Sequence, residues 1–171
     1  ATLLAVPVDG HGRDTASLPR DERIRLAYVT PSHQFPLGGV LPINRRLELL
    51  RWGQRRDAWI IEDDYDSEFH YAGKPTACVQ GLDPHQRTIY IGTFTKSMFP
   101  GLRIAFMVLP PELVAPMTAA RTLLDGHSAP IAQLTLARFM EGGHFGAHVR
   151  TMRAVYCERR DVLAQLVHEH L

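Results

Sequence analysis

The sequence has little of what marks the more specialised classes of protein. Its 171 residues include two cysteines, Cys78 and Cys157, which lie far apart and outside any metal-ligand pattern. We therefore expect unpaired thiols in a reducing compartment. No apolar run approaches the roughly 18 residues that a membrane span requires, and the first residues lack a basic leader. These absences predict a cytoplasmic domain that makes no contact with a membrane.

A strong charge of either sign is also missing. The formal net charge is +1, with 45% hydrophobic and 22% charged residues, and we find neither an internal repeat nor a low-complexity segment. This is the composition of an ordinary globular domain. It provides no overall basic field of the kind that nucleic-acid binding would favour.

Short apolar runs alternate with stretches of helical periodicity. The pattern predicts strands over 3–8, 25–29, 58–61, 88–94 and 102–109, and helices over 42–56, 112–124, 131–140 and 145–170. Strands followed repeatedly by helices predict an α/β sheet that is covered on both faces. Such sheets place their chemistry at the carboxyl ends of the strands.

The loop after the strand 88–94 carries a lysine in unusual company. Lys96 follows a run apolar enough to be buried, where an ammonium group is costly unless it is paired or neutral. The ordinary alternative is a lysine that extends into solvent at a strand end. Neighbouring groups instead predict a cup for a phosphate beside the lysine, formed by Thr93, Thr95, Ser97, Gly101 and Arg103. The glycine spacing excludes a P-loop, and an imine-forming lysine suits such surroundings.

Four carboxylates fall within five residues at the end of another strand, over 62–66. A solvated acidic loop or a divalent-metal site is one interpretation. Alternation along an extended segment would place Asp63 and Tyr65 on one side, with Glu62 and Asp64 on the other. A carboxylate and a phenol that share the pocket of Lys96 would have a specific use. The first keeps a pyridine nitrogen protonated, and the second hydrogen-bonds the 3-oxygen of the ring.

Three segments occur in order and carry a family resemblance: 28–38 (YVTPSHQFPLG), 61–69 (IEDDYDSEF) and 92–103 (GTFTKSMFPGLR). They closely resemble the aminotransferase-like domain of MocR/GabR-type regulators of the GntR superfamily. The resemblance implies an aspartate aminotransferase-like, fold-type I fold that depends on pyridoxal phosphate. It also implies that residues 1–125 form part of the large, cofactor-binding domain, and that 126–171 are helices leading into the small domain.

The resemblance also assigns roles to individual residues. Lys96 would bond pyridoxal phosphate as an imine, Asp63 would pair with the pyridine nitrogen, and Tyr65 would contact the 3-oxygen. Thr93 and Arg103 would hold the phosphate, with Thr95 or Ser97 as a further helper. His33 lies near the place where related aminotransferases put an asparagine against the 3-oxygen. This chain has no asparagine there, which distinguishes it from those enzymes.

Other features of the family have no counterpart in these residues. They are the winged helix-turn-helix, the glycine-rich phosphate loop, the aromatic residue that stacks on the ring, and the arginine that grips a substrate carboxylate. The resemblance implies a homodimer that binds an amino acid or another small amino compound. It implies contact with DNA only through a domain outside this chain.

Three functions fit these patterns. The chain is the effector domain of a regulator, an aminotransferase in which Lys96 also moves a proton, or a metal-binding or structural α/β domain that uses the acidic cluster. His144 and His148 have the i, i+4 spacing of a metal pair on a helix. Gly142 and Gly143 directly before them favour a helix junction instead.

Overall fold

The structure is a computed structural model that describes residues 2–21, 23–71 and 76–171. Its six strands are β1 (Val8–Asp9), β2 (Gly12–Arg13), β3 (Leu26–Val29), β4 (Trp59–Asp64), β5 (Thr88–Thr93) and β6 (Ala105–Val108). Its α-helices are α1 (Ile43–Arg56), α2 (Pro111–Asp125), α3 (Pro130–Glu141) and α4 (His144–His170). The four predicted helices are confirmed, each end within one residue.

A four-stranded sheet of order β3-β4-β5-β6 forms the centre of the molecule, and β1 pairs with β2 as a separate hairpin. The strands β3, β4 and β5 are mutually parallel, whereas β6 runs antiparallel to β5. In this register Val29 pairs with Glu62, and Asp63 pairs with Ile91. The carboxyl ends of three parallel strands therefore meet at one edge of the sheet, as the α/β pattern predicts.

One face of the sheet is buried against α1. In β4 every second residue is buried, so that Ile60, Glu62 and Asp64 point into this layer. The apolar cluster of this layer comprises Ala27, Val29, Leu49, Leu50, Trp52, Ala58, Ile60 and Val79. The opposite face is covered only in part by the described residues, since Leu26 and Tyr28 of β3 are 50% and 52% exposed. Asp63 belongs to this more open face.

A buried ion pair between α1 and β4 also binds backbone groups of the loops around the sheet. Arg46 of α1 and Glu62 of β4 are 1% and 0% exposed, and their nearest nitrogen and oxygen are 4.0 Å apart. The two Glu62 oxygens accept the N–H groups of Val79 and Gln80, both at 2.8 Å. The Arg46 guanidinium donates to three carbonyls, those of Pro31, Leu41 and Ala77. Burial raises the pKa of Glu62, and these hydrogen bonds and the nearby guanidinium oppose the rise.

Three predicted strands differ from those observed. The strand expected over 3–8 is wrong for most of its length, since only Val8–Asp9 pairs, with the short β2, and Pro7 has no N–H to extend a ladder. The strand expected over 102–109 starts later because Pro100–Leu102 forms a 3₁₀ turn and Arg103 takes a φ of 52°. The strand expected over 58–61 continues to Asp64, so much of the acidic cluster lies within the strand.

The last helix, α4, is packed against residues that follow β4 and β5 by aromatic contacts. Phe145 at the start of α4 packs edge-on against Phe94, with ring centroids 5.8 Å apart, and Tyr156 packs against Phe69 at 5.0 Å. Many apolar side chains of α2, α3 and the far part of α4 remain exposed. Within the described residues, no helix has both the length and the apolar character needed to cross a membrane.

Candidate functional site

An open cavity of about 410 Å³ lies at the carboxyl edge of the sheet. It is lined by residues from β2, from β3 and β4 with the loops that follow them, and from the loop after β5: Arg13, Tyr28, Thr30, Gln34, Phe35, Asp63, Tyr65 and Lys96. Its volume falls in the range of small-molecule sites. The structure thus brings Lys96 to the same cavity as Asp63 and Tyr65, which lie far from it in the sequence.

Asp63 is held by a neighbour that the sequence analysis did not single out. The hydroxyl of Tyr28 donates a hydrogen bond to Oδ2 of Asp63. Tyr28 lies on β3 next to Ile61 of β4, and Asp63 is two residues further along the same face. Burial raises the pKa of Tyr28 to about 12, with the hydrogen bond and the negative charge of Asp63 adding to the effect. The sequence shows Tyr28 as the polar-tipped aromatic residue of an otherwise apolar strand, but which residue it faces depends on the register of β3 and β4.

Tyr65 follows β4 and contributes a phenol to the same cavity. Its hydroxyl donates to the backbone carbonyl of His33 at 2.9 Å, and its ring meets the edge of Phe35, with centroids 6.4 Å apart. Burial, assisted by the surrounding carboxylates, raises the pKa of Tyr65. The phenol therefore stays protonated near neutral pH. Its oxygen lone pairs remain free to accept from a ligand.

Lys96 lies in a turn that the preceding threonines stabilise. The hydroxyl of Thr93 accepts the N–H of Thr95 at 3.1 Å and donates to the hydroxyl of Thr95 at 2.9 Å. The amide of Met98 closes the turn on the carbonyl of Phe94 at 2.9 Å. Lys96 itself is exposed at the cavity, while Ser97 is fully buried and its hydroxyl has no partner among the described residues. The loop thus presents the amine to the cavity.

The remaining predicted residues lie outside the lining of this cavity. Thr93 and Thr95 are half-buried beside Lys96, and Arg103 is exposed with a left-handed backbone. The His33 ring points to Asp66, with Nδ1 2.7 Å from Oδ1 of that carboxylate. His33 meets the cavity residues through its carbonyl instead, which Tyr65 uses. The roles proposed for these side chains stay predictions.

The carboxylates of the acidic cluster go to separate partners. Glu62 binds backbone amides, Asp63 binds Tyr28, Asp64 binds Tyr90 and the amide of Ser67, and Asp66 binds His33. Alternation along β4 sends neighbouring side chains to opposite faces, which prevents convergence on one ion. Across residues 2–21, 23–71 and 76–171, no group of three His, Cys, Asp or Glu side chains is placed to hold a metal.

The groups at the cavity fit pyridoxal phosphate. An amine suited to the cofactor's carbonyl carbon, a carboxylate suited to the pyridine nitrogen and a phenol suited to the 3-oxygen line the same space. Oδ1 of Asp63 has no protein partner among the described residues, so it can accept from a ligand. Arg13 adds a positive charge at the cavity, where its guanidinium donates to the carbonyl of Tyr28 at 2.7 Å.

Comparison with known proteins shows the family of the chain. The family model for aminotransferase class I and II matches residues 24–170. The chain belongs to this family. The match includes β3 to β6, α1 and all the cavity residues named above except Arg13.

Similarity to curated relatives confirms the resemblance to MocR-type regulators. The chain is 41% identical to the uncharacterized HTH-type transcriptional regulator YdeL of Bacillus subtilis, over 99% of this chain and 36% of that protein. It is 44% identical to the probable rhizopine catabolism regulatory protein MocR of Rhizobium meliloti, over 100% of this chain and 34% of that protein. The chain thus spans about a third of the length of these relatives.

Solved structures confirm the fold-type I aminotransferase fold. Kynurenine aminotransferase from Pyrococcus horikoshii superposes with a TM-score of 0.91 at 29% identity, covering 98% of this chain and 44% of that one. The α-aminoadipate aminotransferase LysN of Thermus thermophilus, complexed with N-(5'-phosphopyridoxyl)-L-leucine, gives a TM-score of 0.90 at 28% identity with the same coverage. The chain therefore has the aminotransferase fold over nearly all of its length.

Proposed function

We propose that this chain is the cofactor-binding part of the aminotransferase-like effector domain of a MocR-type transcriptional regulator, with pyridoxal phosphate bonded to Lys96. The observation that carries the proposal is the cavity where Lys96, Asp63 and Tyr65 meet. Residues 1–125 would supply part of the large domain, and 126–171 would lead into the small domain.

Each residue has a defined task in this proposal. When bound, the cofactor supplies an electron-withdrawing pyridine ring. Asp63 accepts the N–H of that ring and keeps its nitrogen protonated, Tyr65 orients the 3-oxygen, and Lys96 provides the nitrogen that bonds the cofactor. Thr93, Thr95 and Arg103 would hold the phosphate. The buried Arg46–Glu62 pair keeps β4, and with it Asp63, in place.

The level of identity favours a regulator over an enzyme. The chain is 41% and 44% identical to the two regulators and 29% and 28% identical to the two aminotransferases of known structure. In the regulator, an amino compound bound at the cofactor would change the state of a DNA-binding domain outside this chain. A homodimer is the expected assembly.

The second candidate is a working aminotransferase that acts on an amino acid, which TM-scores of 0.91 and 0.90 to such enzymes favour. In that case Lys96 would also carry a proton between the substrate carbon and the cofactor carbon. Both candidates use the same groups at the cavity. They differ in turnover: an enzyme repeatedly transfers the amino group of an amino acid to a second keto acid, and a regulator responds without net transfer.

The test uses the protein as its gene encodes it. Pyridoxal phosphate is added, and the visible absorption of the protein is recorded with Lys96→Ala beside it. The chain has one other lysine, Lys74, so Lys74→Ala is the matched control. We expect a band in the natural protein and in Lys74→Ala that Lys96→Ala lacks, and borohydride should fix the cofactor only to a peptide that contains Lys96. A protein that stays colourless, or a band independent of Lys96, would refute the proposal.

A further inference from the structure

Asp63 and its neighbour in sequence, Asp64, differ in how many of their carboxylate oxygens accept hydrogen bonds from the protein. Asp64 is 7% exposed, and both of its oxygens have partners inside the protein. Oδ2 accepts from the Tyr90 hydroxyl at 2.7 Å, and Oδ1 accepts from the amide of Ser67 at 3.2 Å. Among the described residues, Asp63 has a partner for Oδ2 alone, the hydroxyl of Tyr28. Both oxygens of Asp64 thus have hydrogen-bond partners, whereas Oδ1 of Asp63 can accept a hydrogen bond from a ligand in the cavity.

We propose that Tyr28 is a positioning residue for Asp63: its phenol holds one carboxylate oxygen, so that the other faces the pyridine nitrogen of the bound cofactor. This inference rests on the proposed function. Asp63 is half-buried, and two rotatable bonds separate its carboxylate from the backbone. A hydrogen bond from a rigid phenol on the adjacent strand removes that freedom before a ligand arrives.

The position of Tyr28 suits this task. Its ring lies on the open face of β3, its hydroxyl reaches across to β4, and both residues line the cavity. The pKa of Tyr28, raised to about 12, keeps the hydroxyl protonated, and therefore a donor, near neutral pH.

The experiment compares Tyr28→Phe with Tyr90→Phe in the protein as its gene encodes it. Both substitutions delete one hydroxyl that donates to an aspartate of β4, but only Tyr28 serves the cavity. We expect Tyr28→Phe to raise the dissociation constant for pyridoxal phosphate roughly tenfold, or ~1.4 kcal/mol. Tyr90→Phe should bind as the natural protein does. Thermal unfolding of the cofactor-free proteins checks that each variant is folded.

A spectroscopic readout separates positioning from a loss of packing. The pH midpoint of the bound cofactor's visible absorption should move upward in Tyr28→Phe. Without Tyr28, Asp63 holds the proton of the ring nitrogen less firmly. The ring then carries less positive charge, so that a proton on the Lys96 nitrogen is repelled less and is lost at a higher pH. Tyr90→Phe should keep the natural midpoint. A natural affinity and midpoint in Tyr28→Phe would overturn the inference and leave the proposed function standing.

A second measurement needs no cofactor. In Asp63→Asn, the Tyr28 phenol loses an ionic acceptor, so its pKa should fall from about 12 towards its ordinary value while burial holds it above that value. The phenolate is followed by near-ultraviolet titration, with Tyr28→Phe identifying the contribution of this residue. An unchanged titration would show that the two side chains do not interact, which would also overturn the inference. If no Lys96-dependent band forms in the natural protein, the proposed function fails, and this inference fails with it.

Discussion

Replacing Glu62 by glutamine tests how the edge of the sheet is held. The side chain is 0% exposed, and its two oxygens accept the amides of Val79 and Gln80, both at 2.8 Å. Glutamine keeps one acceptor but turns an NH₂ group towards the second amide. A buried donor then loses its partner, which costs about 1–3 kcal/mol.

The charge of Arg46 adds to this loss. Breaking a buried ion pair outright costs about 3–5 kcal/mol. Arg46 would lose only part of that amount, because it lies 4.0 Å from Glu62 and donates to three carbonyls of its own. We therefore expect Glu62→Gln to lower the free energy of unfolding by about 2–4 kcal/mol in total.

Urea unfolding measures the effect as a shift of the midpoint at constant slope. The matched control is Glu112→Gln, since the Glu112 carboxylate lies 3.8 Å from Arg87 and its side chain is 63% exposed. A surface pair of this kind should change stability by less than about 1 kcal/mol. If the two substitutions cost the same, the network around Glu62 does not stabilise the fold and the reasoning is wrong.

Two further substitutions probe the strands beside the cavity. A Cβ at Gly92 would come within 2.4 Å of the Phe106 ring, so Gly92→Ala should cost about 1–3 kcal/mol in chemical unfolding. Gly10→Ala, with nothing within 4 Å, should be neutral, and equal losses would contradict the packing argument. Because the pKa of Tyr28 rises from 10.0 to about 12 on folding, its contribution to stability is complete below pH 10 and is lost as the pH rises through 12. The free energy of unfolding of Tyr28→Phe should therefore fall less over this alkaline range than that of the natural protein. If the two proteins show the same dependence on pH, the pKa of Tyr28 is not raised by folding.

The helices and the positions of most strands could be predicted because their signals are local. In α1, apolar residues recur at helical spacing, and in β4 they end in charges at a strand terminus. The hairpin β1–β2 could not be predicted in this way, because a two-residue strand exists only through its partner. The start of β6 was missed for a similar reason: the left-handed backbone of Arg103 delays the strand, and no local pattern shows it.

In the candidate site, too, local motifs could be predicted and contacts between distant residues could not. The motifs around Asp63, Tyr65 and Lys96 predict the kind of chemistry, since an amine, a carboxylate and a phenol at strand ends suit a pyridine cofactor. The contact between Tyr28 and Asp63 could not be predicted because it depends on register. Tyr28 faces Asp63 only when β3 pairs with β4 as observed. The orientation of His33 towards Asp66 likewise depends on a contact between residues 33 positions apart.

The sequence by itself determined the class of fold, because periodicity is a property of short segments, and the family, because three short motifs resemble it. It also predicted which groups carry the chemistry. Only the tertiary structure decided which groups share a cavity and which hydrogen bonds each carboxylate makes. Neighbours along β4 point to opposite faces, so Asp63 opens to the cavity while Glu62 and Asp64 are enclosed. Three adjacent carboxylates thereby acquire different partners, through contacts that form only when distant strands pair.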